Sequence, residues 1–178
     1  MNAWMALMRY HSSRLENRIS EEGDISSLED QDRETWSKEL IQNGNSFLSK
    51  SIGEFEMGEF QIQALIVWNH TLEDSIEKWE RMLDLYNKLL SIRFNPIVIM
   101  NRAYVLSKCG RDEEAIQELN QKIEDKNNYQ FHLIIANIYK NQNFQLAKSH
   151  FELAISLCPS SSGKKSIQKK LNEFLNKK

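Results

Sequence analysis

Apolar residues in this chain recur at steps of three and four, and an α-helix is the element that gathers such a pattern on one face. Phe144, Ala147, Phe151, Ala154 and Leu157 form one stripe, Ala115, Leu119 and Ile123 a second, and Trp79, Leu83, Tyr86 and Leu90 a third. No alternating run is long enough to argue for a sheet, and only two prolines and six glycines interrupt 178 residues. The spacing therefore predicts an all-α fold. Gly110 is expected to end one helix and Asp112 to cap the next.

Composition narrows the functional classes. Apolar residues at 40% and charged residues at 27% are a folding balance rather than that of a disordered chain, and the length can bury a core without disulfide or metal staples. A formal net charge of −2 is not the electrostatic footprint of a DNA-binding protein. Cys109 and Cys158 show no CxxC or Cys/His ligand spacing, so they read as small hydrophobes in a reducing compartment. No apolar run approaches the roughly 18 residues of a membrane span, and Met1 to Arg14 lacks a signal-peptide pattern, so the expected location is cytoplasmic, with no membrane partner.

The stripes also repeat as units. Ala103, Leu106, Gly110, Ala115 and Leu119 (residues 96–128) are followed by Ala136, Tyr139, Ala147, Phe151, Ala154 and Pro159 (residues 129–159). Ala103 recurs as Ala136 and Ala115 as Ala147, a period just short of the roughly 34 residues of a tetratricopeptide (TPR) unit, which the pattern resembles. Small residues at these places let paired helices approach. A looser unit runs from Phe60 to Ile92, with Thr71 and Asp74 as candidate caps of its second helix and an acidic stretch, Glu73 to Glu77, in its turn. After turn residues Ser160 to Gly163, the face made by Ile167, Leu171, Phe174 and Leu175 reads as a capping helix. The expectation is a right-handed array of TPR-like helical hairpins over 56–178. Residues 1–55 would pack on it within one domain, as a helix from about Trp4 to Arg14, an acidic excursion through Gly23, and a helix from about Asp32 to Leu48.

Four strings carry a more specific likeness: ALMRYHSSR (6–14), GDISSLEDQDRETW (23–36), FQIQALI (60–66) and NPIVIMNRAYVLSKCGRDEEAI (95–116). In this order they resemble the carboxy-terminal helical extension of a subgroup of extracytoplasmic-function (ECF) sigma factors, and LEDQDR followed by Trp36 is the most specific piece. The resemblance implies a regulatory, protein-binding module acting in transcription initiation, with RNA polymerase or the sigma domains as partners. The two promoter-reading domains of that family are absent from these residues, so no direct DNA binding is expected. Trp4, Leu7 and Met8 read as the middle of an amphipathic helix with no cap ahead of it, as a segment of a longer protein would present. Periodicity alone supports equally a free-standing TPR-like adaptor unrelated to transcription.

The candidate chemistry is sparse. His11, Arg14, Glu29, Asp30 and Asp32 could be drawn as a metal or acid-base site, but helix capping by Asp30, charge favouring a helix N-terminus from Asp32 and Glu34, and pairing by Arg33 account for the same residues. Lys164, Lys165, Lys169, Lys170, Lys177 and Lys178, against the acid Glu173, make this end locally basic. It could touch polymerase or nucleic acid, but such a run reads first as the solvated face of the capping helix, with the last lysines suiting its dipole. Trp68, Trp79, Tyr86, Tyr139 and Phe151 read as core. No P-loop, GxGxxG, HExxH or GxSxG is present, so no enzyme, catalytic residue, metal or cofactor is expected. Partner contact is placed at the irregular turn Asp30, Gln31, Asp32 and Arg33, and at Asn101 and Arg102 on a first helix of the repeats.

Overall fold

The computed structural model describes residues 1–15, 28, 31–53 and 57–176, and among them nine α-helices and no strand occur. They are α1 (Asn2–Ser12), α2 (Lys38–Ser51), α3 (Glu59–Asn69), α4 (Ile76–Ile92), α5 (Pro96–Lys108), α6 (Asp112–Lys122), α7 (Tyr129–Tyr139), α8 (Phe144–Leu157) and α9 (Ser161–Asn176). The fold is all-α.

Most starts are set by a short polar side chain that accepts an otherwise unpaired backbone N–H. Ser37 accepts from Leu40 at 3.3 Å, Ser75 from Lys78 at 3.1 Å, Asn128 from Gln130 at 2.8 Å, Asn143 from Leu146 at 3.1 Å and Ser160 from Gly163 at 3.0 Å. α5 opens on Pro96, whose missing N–H would have had no partner there. Gly110, at φ 75°, closes α5 in the left-handed conformation.

Several expected boundaries move. α1 spans Asn2–Ser12 rather than Trp4 to Arg14. α2 starts at Lys38, not near Asp32, because Trp36 and Ser37 are extended and the Ser37 N–H donates to the Ser13 carbonyl at 2.9 Å. A single 3-10 turn, Arg33–Thr35, precedes it. The cap of α4 is Ser75 rather than Thr71 with Asp74, and Glu77 already lies in its first turn. Arg111 occupies the cap position of α6, and Asp112 joins Glu113 and Glu114 in a first turn whose positive end suits them. Ser162 and Gly163 are helical, since α9 begins at Ser161. Leu175 is exposed at 37%, because α9 turns only Ile167, Leu171 and Phe174 inward. The last described turn of α9 holds no basic residue. The excursion through Gly23, with Glu29, Asp30, Lys177 and Lys178, lies outside the described residues.

Packing divides the described residues into two compact units, one ending at Asn95 and the other beginning at Pro96. In the first, α1 packs against α2 and α3, and α3 packs against α4. Ala6, Leu7, Tyr10, Leu48 and Ala64 form its centre. Gly44 permits the close approach of α2 to α1, since a Cβ there would lie 2.6 Å from the Tyr10 ring. In the second, α5 pairs with α6, α7 with α8, α9 covers α8, and α5 also contacts α7. Ala103, Ala115, Ala136 and Ala147, the recurring small residues, are each fully buried. Phe151, Ala154, Cys158, Ile167 and Leu171 join Ala136 in one cluster, and the Phe144 and Phe174 rings stack at 4.9 Å.

Candidate functional site

Asp32 caps the 3-10 turn, accepting from the Glu34 N–H at 3.0 Å, and Trp36 anchors the end of the segment by burial. Between them Arg33 reaches the turn joining α3 to α4. Its guanidinium donates to the Leu72 carbonyl at 2.8 Å and to Asp74 Oδ1 at 3.1 Å. Lys78, 1% exposed, donates to the same two acceptors at 2.9 Å and 2.7 Å. Two cations thus share one carbonyl and one carboxylate, which fixes the irregular turn on the helical scaffold. Asp32 and Glu34 face solvent, while Gln31 is buried.

The charges leave their mark on nearby titrating groups. Burial, then the charges of Lys78, Arg14 and Arg33, push the His70 imidazole from 6.5 down to about 3, with Asp74 opposing. Burial raises the Asp74 carboxyl, but hydrogen bonds from Lys78 and Arg33 and their charges outweigh it, so the net direction is down. His11 Nδ1 meets the Arg14 guanidinium at 3.2 Å. Among the described residues no three His, Cys, Asp or Glu side chains gather as a metal site.

Of the residues expected to meet a partner, Gln31, Asp32 and Arg33 come together on this turn, and Asp30 lies outside the described residues. Asn101 and Arg102 belong to the other compact unit. Asn101 is exposed, whereas Arg102 is held against α6, bonded to Glu118 and 3.8 Å from Glu114. Glu118 is itself 7% exposed and accepts from Lys122 at 2.9 Å. Arg102 therefore ties a helix pair together.

Sequence reasoning missed Asp74–Lys78 and Arg102–Glu118. Both had a signal: Lys78 and Glu118 are charged residues adjoining buried stripe positions, Trp79 and Leu119, and Lys78 has an acid four residues before it. It also missed a histidine pair in the second unit, where His132 Nδ1 and His150 Nδ1 lie 2.9 Å apart across α7 and α8. Burial lowers both imidazoles, and the charge of His132 lowers His150 further.

A profile described as a family of unknown function (DUF6596) matches residues 1–52. An uncharacterized protein of Rhizobium meliloti (strain 1021) is 29% identical over 173 residues, 95% of this chain. The chain spans 41% of that relative's length. No solved structure matches the chain. No helix among the described residues is long and apolar enough to cross a membrane.

Proposed function

We propose that this chain is the regulatory, protein-binding module of an ECF-type sigma factor, acting in transcription initiation through protein contacts rather than catalysis. The observation that carries the reading is the turn formed by residues 31–36. It holds the described part of the string that most resembles the ECF extension, it lies within the residues matched by the family profile, and Arg33 pins it so that Asp32 and Glu34 face outward. A pinned, irregular turn on rigid helices suits recognition, because little ordering remains to oppose binding.

A TPR-like arrangement of the second unit is part of the same proposal. Its support is the pairing of α5 with α6 and α7 with α8, the packing of α5 on α7, and the four buried alanines. RNA polymerase or the sigma domains are the proposed partners, in the cytoplasm, and no cofactor is required.

Affinity capture tests the reading, using this chain, the longest reading frame that contains it, and Asp32→Ala with Glu34→Ala in each. Recovery of RNA polymerase subunits by the longer protein, reduced by the double substitution, is the expected result. Capture of an unrelated protein by both, with no polymerase, would replace this reading with that of an adaptor unrelated to transcription.

A further inference from the structure

The outer helix of the second unit carries charge that its own packing does not use. α9 buries Ile167 and Leu171 against α8, and its adjacent face, with Ile155 of α8, lines a shallow, open groove of about 660 Å³. Lys164, Lys165, Gln168, Lys169 and Asn172 stand along that groove, with Glu173 as its acid. Lys164, Lys165 and Lys169 are exposed and form no ion pair among the described residues.

This distribution works against α9 on its own. Its first turn holds no acid, although that end carries the positive pole of the helix dipole, and Lys164 and Lys165 add to the same charge. Lys165 and Lys169 stand four apart, where like charges repel. A ligand bearing carboxylates along the groove would relieve both effects.

We propose that the α8–α9 groove docks an acidic amphipathic helix of a protein partner. The lysines supply charge complementarity at helical spacing, so carboxylates four apart on the ligand meet them in register. Ile155, backed by the buried cluster around Phe151 and Ala154, offers an apolar floor for the adjoining apolar stripe of the ligand. Among the described residues that line the groove none is aromatic, so no base could stack on them, which favours a protein over single-stranded nucleic acid. This proposal is independent of the transcription reading, since it rests on the charge and shape of the α8–α9 groove.

The test is fluorescence anisotropy on the full chain, with a labelled synthetic helix bearing glutamates at four-residue spacing beside an adjoining leucine stripe. The same helix with glutamines for glutamates and a labelled single-stranded DNA serve as controls. The expected result is binding of the glutamate helix, weakened by salt and by about tenfold or more in the triple variant Lys164→Glu, Lys165→Glu, Lys169→Glu. These are surface positions, and unchanged helical circular dichroism in the variant would confirm that its fold is kept. Equal binding of the glutamine helix, undiminished binding by the triple variant, or lysine-dependent binding of the DNA without the peptide would each overturn the proposal.

Discussion

Asp74 is half-exposed, yet it is the carboxylate that meets Lys78, a side chain only 1% exposed. Removing an acid from such a pair costs more than removing one from a surface pair, because the buried ammonium keeps its desolvation cost and loses its counter-charge. Asp74→Ala is therefore expected to lower stability by about 1–3 kcal/mol in denaturant unfolding. Arg33→Ala, which leaves Lys78 paired, should cost less while freeing the 31–36 turn for proteolysis; equal losses would mean that Lys78 does not depend on Asp74. Glu118 is buried more deeply, with Arg102 across from it at 15% side-chain exposure. Glu118→Ala should cost about 2–4 kcal/mol. A double-mutant cycle with Arg102→Ala should be strongly non-additive, and additive losses would show that the pair does not couple α5 to α6.

At the level of helices, α1 and α2 approach so closely that Tyr10 fills the space a side chain at position 44 would need. The Tyr10 hydroxyl is fixed by donation to Asn45 Oδ1 at 2.8 Å, and burial pushes its pKa up to about 12. Gly44→Ala gains about 1 kcal/mol of helix propensity, but overpacking a ring that cannot swing away costs about 1–3 kcal/mol. The expected net loss is about 1 kcal/mol, read as a lowered Tm; a raised Tm would mean that the ring has room to move. Sequence pattern located α4, α6 and α8 well because most of each stripe is buried: Leu83, Tyr86, Leu119, Phe151 and Ala154 face inward, with Leu90, Phe144 and Leu157 half-buried at the stripe ends. It misplaced the start of α2 because the acidic Asp32 and Glu34 resemble a helix N-terminus. The competing bond from the Ser37 N–H to the Ser13 carbonyl is formed only when α1 is already in place.

For the whole molecule, the three depressed histidines set the response to acid. Each has a folded pKa below its unfolded value, so the unfolded chain takes up protons first. Their contribution is complete above about pH 6.5 and is lost as pH falls toward the folded values. His70 alone implies a loss of about 2 kcal/mol by pH 5, and the His132–His150 pair works in the same direction. Thermal unfolding should show a Tm falling steadily from pH 7 to pH 5, with a shallower fall in His70→Gln; a flat profile would mean that His70 accepts a proton in the folded protein without penalty. What the sequence determined alone was the helical class, most of the helices and the places where small residues recur, because local periodicity and capping are written in neighbouring residues. Which polar groups were brought together was decided only by the tertiary structure. Arg33 meets Leu72 and Asp74, Arg102 meets Glu118, and His132 meets His150 only after helices pack, since hydrogen bonds over a few ångströms depend on distances that residue spacing does not contain.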